Sequence, residues 1–394
     1  MMIDAPRKAG FSGSRGEAAA LLLADLERQG DAYCIVGMTD GMPENIPSDL
    51  DIIVTPGHEK IFADQLHRFC RTHGMRFVQA LWHRTGTYHA FCWRGESGDV
   101  QFLHPDVSSG YAKNGRRFIT ARDLLAGRRL ACDAAGNTRG FYIPAPTSEF
   151  LYYLIKRIDK CSIGVREGNH LSSQWRADPE EAARQVSRFW HGHDARILLD
   201  AAKQNNWEKI SVDLPRLRKK FRARGALSFR GLCQLLERFW RRIFQPTGLW
   251  VVILGPDGVG KTSVLDRVYK DLAPAFWRKA SFHLRPHLGR GKATVFSPVT
   301  DPHGKPPRGV LLSTAKLFYF LFDYFFGYAL LVQPKLVQAT FILFDRYFHD
   351  LLVDPKRYRY GGAMWLARLV GRCVPKPDLW VLLDAPGEIV VARK

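Results

Sequence analysis

The octapeptide Gly255-Pro256-Asp257-Gly258-Val259-Gly260-Lys261-Thr262 constrains this chain more than any other feature. It matches G-x-x-x-x-G-K-[ST] at every fixed position, and the chemistry explains the spacing. The glycines let the backbone wrap closely, so that its N–H groups face a run of phosphates. A helix beginning at the loop adds its positive end. Lys261 can reach the β- and γ-phosphates, and the Thr262 hydroxyl can face Mg²⁺. The setting fits: an apolar strand-length run, residues 249–254, precedes the loop and a helical pattern, residues 263–272, follows it. The loop residues Gly255, Asp257, Gly258, Val259, Gly260, Lys261 and Thr262 are therefore the expected ATP-binding set.

Further apolar runs at 339–344 and 379–383 alternate with helical stretches, which predicts a parallel α/β sheet covered on both faces. Asp345-Arg346-Tyr347 ends the first of these runs. In an open parallel sheet ligands bind at the carboxyl ends of strands, so an acid there can position Mg²⁺ and an arginine can clamp a phosphoryl group with its fork.

The loop, the Asp345-Arg346-Tyr347 strand end and a last strand opened by Pro377-Asp378-Leu379 and closed by Leu383-Asp384-Ala385-Pro386 together resemble the thymidylate kinase family over about residues 248–394. The resemblance implies a nucleoside monophosphate kinase fold of the P-loop NTPase class, using ATP and Mg²⁺. It implies Lys261 on the donor phosphates, Asp257 near the acceptor sugar, Arg346 on the acceptor phosphate, and Thr262 with Asp345 at Mg²⁺. Where such kinases carry an arginine-proline-glycine-glycine stretch, this chain has Phe282-His283-Leu284-Arg285-Pro286-His287, and Arg285 is expected to do the equivalent work. The segment looks closer to thymidylate-kinase-like proteins of bacterial surface-polysaccharide clusters, which often carry an extra N-terminal domain. The family's lid and last elements have no counterpart before Lys394, so the chain is expected to be part of a longer kinase.

Nearer the N-terminus, Gly37-Met38 is followed after ten residues by Asp49-Leu50-Asp51. On a strand, acids at i and i+2 face the same side and can share Mg²⁺. The pattern resembles the nucleotidyltransferase superfamily signature, which implies a third acid; Asp99, at the start of an apolar run, is the candidate. Met38 replaces the small residue of that signature, so the expectation is the fold without efficient catalysis.

Three regions are expected: an α+β nucleotidyltransferase-like domain at 1–146, a helical bridging region at 147–245, and the kinase-like domain at 246–394. Lys plus Arg number 58 against 38 acids, a net charge of +20, which calls for acidic partners such as a nucleotide or a phosphorylated small molecule. Residues 216–242 hold ten of the basic residues and one acid, with Phe221, Phe229, Phe239 and Trp240 at helical spacing. Without a recognised reader motif this predicts a solvated basic face over an aromatic stripe, not a nucleic-acid site. The histidines at 191 and 193 predict a helix end and not a metal site. Seven scattered cysteines without a C-x-x-C pair fit a reducing cytoplasm. The apolar stretch 317–332 is short for a membrane span and carries Asp323, so a buried helix is expected, with membrane-surface contact the alternative. The function these features favour is transfer of the ATP γ-phosphoryl to a nucleoside monophosphate-like acceptor. The alternatives are a sugar or glycan intermediate as acceptor, or a nucleotide-binding scaffold without catalysis.

Overall fold

The computed structural model describes residues 10–46, 49–83, 86–113, 116–133, 135–224, 240, 243–276, 278–288 and 306–386. These form a mixed α/β structure in two compact units, Met1–Arg238 and Phe239–Lys394.

The first unit opens with α1 (Arg15–Arg28). The Ser14 hydroxyl accepts from the Glu17 backbone N–H at 3.2 Å, and the Glu17 carboxylate accepts from that of Ser14 at 2.7 Å. Two orphan donors of the first turn are thereby satisfied. The sheet beneath holds β1 (Tyr33–Ile35), β2 (Leu50–Val54), β3 (Arg76–His83), β4 (Gly86–Arg94), β5 (Val100–Leu103) and β6 (Pro105–Ser108), with α2 (His58–Thr72) between β2 and β3. The spatial order is β1-β2-β6-β4-β3, and β5 lies on β4 beyond β6. Only β2 and β6 run parallel, and their register sets Asp51 beside Asp106. One face of the sheet packs on α1 and α2 through Leu22, Leu26, Phe62 and Leu66.

The hairpin of β7 (Gly110–Lys113) and β8 (Arg116–Thr120), the short helix α3 (Ala121–Leu125), and the hairpin of β9 (Arg129–Cys132) and β10 (Thr138–Ile143) lead to the helical region. It comprises α4 (Pro146–Lys160), α5 (Val165–Ala177), α6 (Pro179–Ser187), α7 (His193–Gln204) and α8 (Leu214–Arg224). These helices share one apolar core with Cys34, Val36 and Ile53 of the sheet, so they form a layer of the first unit. Three basic residues of the run, Arg216, Lys220 and Arg222, pair with acids there. Arg222 donates to Asp159 at 2.6 and 2.9 Å, while Arg216 and Lys220 both pair with Asp194. Phe221 is fully buried. Phe229 and Phe239 lie outside the described residues.

In the second unit, β11 (Leu249–Leu254), β12 (Arg278–His283), β13 (Thr340–Asp345) and β14 (Leu379–Leu382) form an all-parallel sheet in the order β12-β13-β11-β14. Strand alternation divides its faces. Val251, Ile253, Phe341 and Leu343 meet α9 (Lys261–Leu272), while Trp250, Val252, Ile342 and Phe344 meet the opposite helices. Those are α10 (Val310–Gly327) and α13 (Met364–Cys373); a π-helical turn, Tyr328–Val332, joins α10 to α11 (Gln333–Val337), and α12 (His349–Val353) follows β13.

The apolar stretch differs from the buried helix expected. Val310–Val337 is continuously helical, and by length and composition it is apolar enough to cross a membrane. Its inner face buries Leu317, Phe320, Asp323 and Tyr324, while Phe318, Tyr319, Phe322, Phe325 and Phe326 are exposed. Asp323 is the reason for the one-sidedness: its carboxylate is taken from the inside, by Arg285 at 3.0 Å and by the Leu288 N–H at 2.7 Å.

Candidate functional sites

The parallel sheet brings the loop and the Asp345-Arg346 strand end together. β11 pairs with β13 so that Ile253 is opposite Asp345, and the Arg346 N–H donates to the Ile253 carbonyl at 3.1 Å. Gly255 has no alternative at the loop's entrance: a Cβ would stand 2.7 Å from the Leu383 carbonyl oxygen. Gly260, at φ +95°, caps α9 in the left-handed region.

Lys261 is buried at the head of α9 and curls back over the loop, where Nζ donates to the carbonyls of Gly255 at 2.7 Å and Pro256 at 2.6 Å. Burial and the nearby Arg346 charge lower its pKa. Asp257 receives three cations: Arg346, Arg357 and, at 3.5 Å, Lys261. Burial opposes ionisation of Asp257, but the Arg357 hydrogen bond and the two guanidinium charges hold its carboxyl far below the usual range. Arg346 also donates to Asp350 at 2.7 Å. Asp345 lies 3.1 Å from His283 Nδ1. Burial raises its pKa, yet the His283 hydrogen bond and the charges of His283, Arg346 and Lys261 leave it lowered overall. Its Oδ1 is buried with no hydrogen-bond partner among the described residues, and the Thr262 side chain is exposed. These are hard oxygen donors beside the Gly255–Thr262 loop, a set that could hold a Mg²⁺ completed by further oxygen ligands and water. Among the described residues no group of three or more His, Cys, Asp or Glu side chains converges as a ready-made metal cage.

The crevice also contains residues that motif spacing did not identify. Arg357, His283 and Asp350 reach it from a turn, from the end of β12 and from α12. The only signal for Arg357 was the basic-aromatic run Lys356-Arg357-Tyr358-Arg359 shortly after the strand-end acid. Arg285 lies at the end of β12, paired with Asp323 and stacked 4.7 Å from the Phe320 ring centroid.

In the first unit Asp49 and Asp51 occupy the start of β2 as expected, but Asp99 does not join them. Asp99 precedes β5, which pairs with the far half of β4, and its exposed carboxylate is bound by Ser97 and Gln101. The apolar run that Asp99 opens forms β5 and ends at His104; a further strand, β6, follows and runs beside β2. Its Asp106 stands opposite Asp51. The cluster is not open to a metal, because Lys156 of α4 donates to Asp51 Oδ2 at 2.6 Å. Burial works against the lysine's charge, but Asp51 and Asp106 hold it protonated above its ordinary range. These residues do not fit a bound Mg²⁺. Glu149, two turns earlier on the same helix, accepts from the Gly37 N–H at 2.8 Å and fixes the glycine loop. Beside it lies a cavity of about 880 Å³, lined by Met38, Asp40, Arg166, Asn169, His170 and Ser173.

No family model matches the sequence, and no curated protein matches it. Among solved structures, the thymidylate kinase from Ehrlichia chaffeensis is similar at 17% identity over 38% of this chain and 78% of that one, with a TM-score of 0.27. An antigenic nucleotidyltransferase-like protein from Paracoccidioides brasiliensis is similar at 18% identity over 54% of this chain and 95% of that one, with a TM-score of 0.30. At that level of overlap the reading of each site rests on its own residues.

Proposed function

We propose that the second unit is an ATP- and Mg²⁺-dependent phosphotransferase of the thymidylate kinase type, acting on a nucleoside monophosphate-like acceptor. The observation that carries this reading is the in-register placement of the Lys261 loop against Asp345 and Arg346. Loop N–H groups and Lys261 bind the donor phosphates. Arg346 and Arg357, gathered on Asp257, present two guanidinium groups to an acceptor phosphate. Thr262 and Asp345 would hold Mg²⁺, which neutralises donor-phosphate charge when bound. An acceptor oxygen forms the new bond to the γ-phosphorus while the bond to the β–γ bridging oxygen breaks, and ADP leaves. Positioning and charge neutralisation supply the rate, without a covalent enzyme intermediate.

Calorimetry with ATP and Mg²⁺ tests this reading. Lys261→Ala removes the lysine that charges the donor site and is expected to weaken ATP binding by roughly 1.5–3 kcal/mol, the range for a hydrogen bond to a charged group. Equal affinity in variant and parent would remove the loop from the assignment.

A further inference from the structure

Near the crevice, Arg285, Arg308 and Arg359 gather around Lys316. Arg285 leaves β12 and lays its guanidinium 4.7 Å from the Phe320 ring centroid, with Nη1 donating to Asp323 at 3.0 Å. Lys316, one turn before Phe320, brings its ammonium 5.3 Å from the same ring and donates to the Tyr358 carbonyl at 2.6 Å. Backbone contacts knit the segments carrying Arg308 and Arg359 together. The Arg308 N–H donates to the Arg359 carbonyl at 3.0 Å, and Arg359 Nε donates to the Pro306 carbonyl at 3.1 Å. The Ser313 hydroxyl donates to the Arg308 carbonyl at 3.1 Å and accepts from the Gly361 N–H at 2.9 Å. A Cβ at Gly361 would stand 2.3 Å from that same Arg308 oxygen, so the close approach requires glycine.

Among the described residues Arg308, Lys316 and Arg359 have no carboxylate partner, and Asp323 is engaged by Arg285. Burial, then the charges of Arg308, Arg285 and Arg359, push the Lys316 ammonium down to about 8. Like charges held together on half-buried side chains destabilise a protein with nothing bound, and such groupings mark sites that an anion completes. The cluster borders the crevice. Lys316 holds the carbonyl of Tyr358, the residue next to Arg357, which pairs with Asp257 in the crevice, and β12 pairs with β13 so that His283 faces Asp345, two residues before Arg285.

We propose that Arg285, Arg308, Lys316 and Arg359 form a second anion subsite, so that the acceptor carries two phosphate groups, one for Arg346 and one for this cluster. The inference rests on the acceptor-crevice reading above and narrows its substrate class.

The test uses the full chain with the loop filled by Mg²⁺ and a non-hydrolysable ATP analogue, then titrates inorganic pyrophosphate and, separately, orthophosphate. Pyrophosphate is expected to bind about tenfold more tightly, the gain from one more charge-assisted contact. Lys316→Met and Arg359→Gln are each expected to abolish that preference and leave analogue binding unchanged. Equal binding of the two anions, or parent-like pyrophosphate affinity in both variants, overturns the subsite. If the analogue fails to bind while the pyrophosphate preference persists and is lost in the variants, the subsite stands and the kinase reading falls.

Discussion

Arg346 occupies a backbone conformation that arginine seldom takes, φ +70°, at the end of a buried strand. A non-glycine residue there costs on the order of 1–3 kcal/mol, which the surroundings must offset. They do so with the backbone bond to Ile253 and with Asp257 and Asp350 on the two arms of the guanidinium. Lysine keeps the charge but loses the fork. Arg346→Lys is therefore expected to weaken acceptor use by roughly 1.5–3 kcal/mol, read as acceptor kcat/KM, with a smaller change in ATP affinity. Unchanged acceptor use would make Arg346 a structural partner of its carboxylates. Lys316 gives a second test, through pH. Its folded pKa of about 8 lies below the value of 10.5 for a free lysine. Below pH 8 the folded state carries the full cost of the charged lysine; between 8 and 10.5 the unfolded chain binds more protons, so stability rises with pH. Lys316→Met is expected to raise stability near pH 7, with the gain shrinking toward pH 10.5; a pH-independent difference in denaturant midpoints would contradict this. At this scale the loop was fully legible in the sequence, because local backbone geometry dictates its spacing. Arg357 and Lys156 were not, because long side chains arriving from separate elements leave no periodic trace.

Elements were legible where one face is buried and the period is clear. Residues 249–254 and 339–344 were expected as strands; they form β11 and, one residue later, β13, whose alternate residues fill the two faces of the parallel sheet. Phe341 is fully buried and stacks with Phe276 at 5.4 Å, on the face that holds α9 beneath the phosphate loop. Phe341→Ala is expected to cost about 3–5 kcal/mol of unfolding free energy, measured by denaturant titration. A loss below about 1 kcal/mol would mean that this face repacks freely. The element that misled was the stretch containing Asp99. That run forms β5, but the strand that enters beside β2 is the next one, β6, after His104. Pairing partners are set by tertiary register, so the acid opposite Asp51 had to be found in space. The helix Val310–Val337 shows the same limit: its composition is apolar nearly all round, and the side that is buried is decided by Asp323 turning toward Arg285.

The whole molecule carries two acid-bearing sites of opposite character, and their metal stoichiometry separates them. In the second unit Asp345 keeps a buried oxygen with no partner among the described residues, and Thr262 is exposed nearby on the loop helix. On the proposed reading two protein oxygens would hold Mg²⁺ weakly until phosphate oxygens completed the octahedron, so occupancy there would require ATP. In the first unit Asp51 already holds a cation, the Lys156 ammonium, at 2.6 Å, and the Asp106 charge acts on the same lysine. A divalent ion would have to displace it and leave a half-buried ammonium unpaired, at a cost of several kcal/mol. Counting bound Mn²⁺ per chain by electron paramagnetic resonance is therefore expected to give one ion with ATP present and essentially none without it. Asp345→Asn should abolish that ion. Lys156→Ala is expected to leave that count at one, because among the described residues no three acids converge on a metal position and the buried Asp51, relieved of its cation, takes up a proton. Two ions in the parent chain, one of them lost on Asp51→Asn, would show that the N-terminal carboxylates are a working metal site and that Lys156 yields to it.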